Sequence, residues 1–140
     1  MPTAYFTLLH TCLLELGFDI HHQDEAANLL VVSQPELGIY NLVLGCGEPL
    51  LIMEQYLLEL PAPNGAVYQR LLQKNRDIIH GAFVLDESGR RVICRDTLQL
   101  DTLNRAALEA VLNSLALVLS EFGDELIEFS KATPGSSPTA

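Results

Sequence analysis

The chain has 140 residues, 49% of them apolar, with 18 acidic against 8 basic side chains and a net charge of −10. That length suits one domain of about 100–150 residues whose core needs neither disulfides nor a structural metal, and the apolar content excludes wholesale disorder. The thin scatter of bases excludes a nucleic-acid groove and disfavours an anionic membrane surface, because both need a basic stripe.

The first predicted element is a helix over residues 3–16, in which Leu9, Cys12, Leu13 and Leu16 share one face. Thr3 is its expected cap and Gly17 its expected stop. Residues 21–25 are polar and read as a loop or the frayed start of a strand. Strands are predicted over residues 29–33, 39–44 and 49–60, with a break at residues 35–38 and a glycine turn at Gly45-Cys46-Gly47. Short connections make these three an antiparallel meander. Their apolar residues do not alternate cleanly, so both faces of the sheet are expected to be covered.

Asn64 is a helix cap, and Val67, Tyr68, Leu71 and Leu72 form the stripe of a helix ending near residue 75 or 76. Residues 82–86 and 91–98 read as a hairpin joined by a turn at Asp86-Glu87-Ser88-Gly89. The last helix starts near Asp101 or Asn104 and runs to about Phe129, holding Leu108, Val111, Leu112, Leu115, Val118 and Leu126 at helical spacing. The predicted order is αβββαββα, an α+β domain with a five-stranded antiparallel sheet and three helices. The domain spans residues 1–131, and residues 132–140, rich in Pro, Ser and Thr, read as a disordered tail.

No residue pattern carries chemistry. His21 and His22 are adjacent, so on a strand they point to opposite faces, and His10 and His80 stand at no metal-ligand spacing. G-x-S-x-G, H-E-x-x-H and the phosphate-binding glycine loop are all missing. The expectation is a non-enzymatic protein with no catalytic residue, metal or cofactor. Cys12, Cys46 and Cys94 are odd in number and contain no C-x-x-C pair, which predicts free thiols in a reducing cytoplasm, Cys12 and Cys94 buried. The N-terminus lacks the basic region of a secretory signal, and no charge-free apolar run reaches the roughly 18 residues of a membrane span. Arg95-Asp96-Thr97 interrupts an apolar strand and reads as an edge whose charges deter stray pairing.

Two surfaces are predicted. The stripe Val67, Tyr68, Leu71 and Leu72 is wider than one sheet contact needs, so it is assigned to a two-fold homodimer interface. On the third predicted strand, Leu51, Met53 and Leu57 point one way and Leu50, Ile52 and Tyr56 the other. The first set is expected to form an outer apolar face that takes an extended partner segment, with Met53 adapting its shape.

The stretch Asn75-Arg76-Asp77-Ile78-Ile79-His80-Gly81-Ala82-Phe83-Val84-Leu85-Asp86, then Val92-Ile93-Cys94-Arg95-Asp96-Thr97-Leu98, then the long helix with Glu121-Phe122-Gly123-Asp124-Glu125-Leu126, resembles the class I type III secretion chaperone family (the Tir-chaperone, CesT-like group). It equally resembles the YbjN-like proteins, which share that fold. The resemblance implies a small, acidic, cytoplasmic bacterial homodimer without enzymatic activity. It implies a partner, the N-terminal segment of a secreted or otherwise unstable protein, held partly extended. It also places residues 64–76 at the dimer interface. The YbjN likeness implies the alternative, a regulatory or stress-related protein with no secretion role.

Overall fold

The computed structural model describes residues 4–133. Helix α1 (Ala4–Glu15) buries Phe6, Leu9, Cys12 and Leu13, and the chain leaves it through Gly17, whose φ of 84° admits the left-handed turn. The expected cap, Thr3, lies outside the described residues. Next comes β1 (Asp19–Asp24), a sixth strand where the sequence predicts a loop or the frayed start of a strand at residues 21–25. Its side chains are mostly exposed and polar, so no apolar alternation marks it; main-chain pairing with β2 holds it. The predicted order is therefore corrected to αββββαββα.

Strands β2 (Leu29–Gln34), β3 (Ile39–Gly47) and β4 (Leu50–Glu59) form the meander. The predicted turn at Gly45-Cys46-Gly47 is strand: β3 runs through Gly47 paired to β4, and the chain reverses at Glu48–Pro49. Helix α2 (Gly65–Asn75) is capped as predicted, Asn64 Oδ1 accepting the Ala66 and Val67 N–H groups. Strands β5 (Ala82–Leu85) and β6 (Arg91–Gln99) pair as a hairpin, and α3 (Arg105–Lys131) starts where Asn104 Oδ1 accepts the Ala107 N–H at 2.8 Å. Helix α3 is long and apolar enough to cross a membrane, but its stripe is packed on the sheet.

The sheet is antiparallel throughout, in the order β1-β2-β3-β4-β6-β5. Strand β6 is thus an inner strand as far as Arg95, where the edge reading of Arg95-Asp96-Thr97 is corrected; β5 ends opposite Arg95, so Asp96 and Thr97 pair with β4 alone. Arg95 faces Glu54 on the neighbouring strand at 3.6 Å, and Asp96 accepts the Thr97 N–H. All three helices pack on one face. Helix α1 and the first half of α3 cover β2, β3 and β4 in one cluster; α2 and the second half of α3 cover β4, β5 and β6 in another. Among the described residues the helices cover one face, which leaves the expected cover of the other face to something besides these helices.

A charged cluster joins α2 to α3. Arg70 and Lys74 both donate to the Glu125 carboxylate, and the buried Lys74 ammonium lies 4.7 Å from the centre of the Phe122 ring. Burial pushes the Glu125 carboxyl up, but the hydrogen bonds and charges of Lys74 and Arg70 outweigh it and hold the group below its ordinary range. The first residues of the predicted tail are placed: Ala132 packs on the second cluster, and Asn64 Nδ2 donates to the Thr133 carbonyl. The rest of that tail lies outside the described residues.

Candidate partner-binding surface

Strand side chains alternate between faces. Leu30, Val32, Leu42, Leu44, Leu51 and Met53 go under the helices and are buried. The residues between them therefore point away from the helices. Pairing register aligns them in rows: Val31, Val43, Glu54, Arg95 and Ala82 in one, Gly45, Ile52 and Thr97 in the next. Tyr56, Ile93 and Val84 form a third. Among the described residues, Val31, Val43, Ile52, Ile93 and Val84 belong to neither core cluster and are half-buried. The result is an aliphatic face crossed by a Glu54–Arg95 ion pair and bordered at one end by Arg91 and Glu59, 3.8 Å apart.

Of the three residues predicted to bind a partner, Leu51 and Met53 are on the wrong face. They are 0% and 3% exposed, part of the helix-covered core, and no partner can reach them without unfolding the chain. The outward set is the other one, Leu50, Ile52 and Tyr56. Leu57 stands apart, because a bulge between Tyr56 and Leu58 breaks the alternation and sets it in a groove beside Leu119 of α3.

The four residues assigned to the dimer also divide. Val67 and Leu71 are consumed by the chain's own core, against Leu60, Phe83 and Val118. Tyr68 donates its hydroxyl to the Gly89 carbonyl in the β5–β6 turn. Leu72 is 68% exposed and free to meet another chain. Sequence reading missed further exposed apolar residues, among them Ile79 at 90% and Leu117 at 64%, which share a shallow cleft with Phe122. The signal was present: Ile78 and Ile79 are consecutive in a short loop, and only Ile78 tucks into the core.

Among the described residues the reactive side chains are scattered over the fold. Cys94, His80 and Asp96 border one small cavity of about 20 Å³, room for a water but not a substrate. Burial, with Asp96 adding to it, pushes the Cys94 thiol up to about 11, so it stays protonated. Burial raises Cys12 and Cys46 as well, and all three thiols are free. His10, His21 and His22 line a cleft between α1 and β1, where His10 Nε2 bonds Gln23 Oε1. Among the described residues no three His, Cys, Asp or Glu side chains are placed to hold a metal ion.

This architecture has relatives among solved structures. SycH, a type III secretion chaperone of Yersinia pestis crystallised with a stable fragment of YscM2, superposes with a TM-score of 0.56 at 18% identity, over 91% of this chain and 100% of its own. YbjN of E. coli, described as a putative transcription regulator, gives 0.63 at 11% identity, over 85% and 91%. The HopA1–SchA chaperone–effector complex gives 0.60 at 17% identity, over 91% and 94%. No curated protein matches the sequence. The family model CesT_Tir_1 matches residues 2–132, nearly the whole chain, and the protein belongs to that family.

Proposed function

We propose that this protein is a non-enzymatic, cytoplasmic binding module that holds an extended segment of another protein, and that it works as a homodimer. The observation that carries the reading is the uncovered sheet face. Val31, Val43, Ile52, Val84 and Ile93 form an aliphatic surface for which the described residues supply no cover, and surfaces of that kind mark interaction sites. The fold neighbours SycH and SchA were both solved with partner proteins, which supports a chaperone-like role. The expected partner is the N-terminal segment of a secreted or unstable protein. A net charge of −10 steers basic segments toward the chain. The exposed Leu72 side of α2 is the proposed dimer contact, with Ile79 and Leu117 as further apolar surface.

The likeness to YbjN supports a second reading, a regulatory or stress-related protein without a secretion role. With so few bases it would act through protein contact and not by gripping nucleic acid.

The test of the binding surface is Ile52→Glu combined with Ile93→Glu, checked first for native circular dichroism and an unchanged oligomeric state. Capture of partners from host lysate, read by mass spectrometry, should be lost. Capture of the same set by the double variant would show that the outer face is not the site. Light scattering tests the dimer: the unaltered protein should give twice the chain mass, and Leu72→Glu the chain mass. A unaltered protein that is monomeric at micromolar concentration would overturn the dimer.

A further inference from the structure

Helix α3 holds a glycine that its own packing does not call for. Gly123 stands in the helix interior, where glycine is less favourable than alanine, and a Cβ added there would meet nothing within 4 Å. It lines a groove of about 520 Å³ between β4 and α3, whose walls are Tyr56, Leu57, Leu119, Leu126 and Ile127. A second hollow of about 380 Å³ shares Tyr56, Leu57 and Leu119 and extends to Tyr40. Glycine at such a place lets a main chain lie close against the helix, and among the described residues nothing takes that room.

The groove begins near the point where the described residues end. Ser130 lines it in the last turn of α3, and Glu59 lines it as the last residue of β4. Beyond Lys131 the chain is held: Ala132 packs on the second core cluster, and Asn64 Nδ2 donates to the Thr133 carbonyl at 3.4 Å. Residues 134–140 follow, with the sequence Pro-Gly-Ser-Ser-Pro-Thr-Ala. Pro134-Gly135 is the central pair of a type II turn sequence, a signal for chain reversal. A reversal there sends residues 136–140 back along α3. Fully extended they span about 17 Å, and α3 from Ser130 back to Leu119 measures about the same. Pro138 falls about 10 Å along that path, level with Gly123.

We propose that residues 136–140 of the same chain lie in this groove as a strap, with Pro138 against Gly123 and the wall of Leu57, Leu119 and Ile127. The chemistry matches on two counts. Residues 134–140 carry no charged side chain. Among the described residues lining the groove the charged one is Glu59, which Arg90 and Arg91 already face at 3.9 and 3.8 Å, so the groove asks for no counter-charge. Pro138 presents an apolar ring and has no N–H to satisfy. It suits a trough of leucine and isoleucine with the exposed ring of Tyr56 beside it, since aromatic-lined grooves take proline. The strap accounts for Gly123, because a side chain there would take the room of the proline ring. It ties the end of α3 to β4, and it is separate from the outer sheet face on which the binding-module reading stands.

NMR of the full chain tests the strap. Nuclear Overhauser contacts should join Pro138 to Gly123 and Leu119, and the amide shifts of Ser137 and Thr139 should hold on dilution to micromolar protein. Gly123→Leu fills the groove with a good helix former, so the contacts should vanish and both amides should move to random-coil positions. Gly123→Ala, a smaller change that favours the helix, should move the same amides part of the way. Removal of residues 134–140 should shift the amides of Tyr56, Leu57, Gly123 and Ile127 and leave Val43, Ile52 and Ile93 in place. Random-coil positions for Ser137 and Thr139 in the unaltered chain overturn the strap, and so do contacts that survive Gly123→Leu. Contacts that fade on dilution give the groove to the tail of a second copy, which overturns docking within the chain. Shifts at Val43, Ile52 and Ile93 with the groove silent also overturn the strap, while the capture and light-scattering tests of the proposed function stand apart from every one of these outcomes.

Discussion

Strand β3 places Leu44 and Val43 side by side on opposite faces of one sheet. Leu44 is fully buried beneath the helices; Val43 is half-buried and, among the described residues, belongs to neither core cluster. Both are aliphatic and both are paired to β2 and β4. What separates them is where the helices were placed, and that is decided by the stripes on α1, α2 and α3 and not by the strands. The inner face supplies stability, and the outer face is apolar surface that the described residues leave out of both core clusters.

The sharpest way to break this contrast is to truncate each neighbour in turn. Leu44→Ala should cost about 2–5 kcal/mol, the range for emptying a packed core position. Val43→Ala should cost about 1 kcal/mol or less, mainly the lower strand preference of alanine. Urea denaturation measures both. Equal costs would mean that the outer face is covered too, and a Val43→Ala cost that grows with protein concentration would place the cover in a second copy.

The same contrast explains what could be read from the sequence. The helices were legible because their stripes repeat at helical spacing and two asparagines cap them: Asn64 and Asn104 accept the N–H groups predicted for such residues. Strand β1 was not legible, because Asp-Ile-His-His-Gln-Asp has no alternation and is held by main-chain bonds. The partner face was misassigned for a different reason. Leu50 and Ile52 are as apolar as Leu51 and Met53, so side-chain chemistry alone could not say which pair the helices would take. The stripe on α2 was real, but Val67 and Leu71 are spent on the chain's own sheet, leaving Leu72 outside. Pairing of β3 with β4 stops at Val43 opposite Glu54, beside the left-handed Asn41, a conformation that asparagine tolerates but does not announce.

A smaller effect tests what fastens the helical layer. Glu125→Gln removes the carboxylate that joins Lys74 and Arg70 to α3 and leaves the Lys74 ammonium buried without its counter-charge. A loss of about 1–3 kcal/mol is expected. The pH dependence follows from the lowered Glu125 value. A carboxyl held lower in the folded chain than in the unfolded one stabilises fully above its ordinary value of 4.5 and ceases to do so as the pH falls through its folded value. Stability of the unaltered protein should therefore drop on acidification below about pH 4.5, and Glu125→Gln should show a shallower acid limb. Identical acid limbs would mean that the cluster does not fasten α2 to α3.

The mildest probe leaves the sequence intact and reads how tightly the helices close over the inner face. Cys46 and Cys94 both point to that face, since Cys46 pairs with Leu51 and Cys94 with Gln55. They differ in cover. Cys94 is buried under α3, and burial, reinforced by Asp96, pushes its thiol to about 11. Cys46 is half-buried at the end of β3, and burial raises it too. Only the thiolate reacts, so at pH 8 roughly one Cys94 in a thousand is reactive even when reached. Labelling of the native protein with a thiol reagent should modify Cys46 first. Cys94 should react at the rate at which the chain opens, and its labelling should become as fast as that of Cys46 only in denaturant. Peptide mapping after timed quenching separates the two. Early labelling of Cys94 in the native protein would mean that α3 lifts from the sheet readily, and that the inner face is less closed than the packing of Leu112 and Val118 implies.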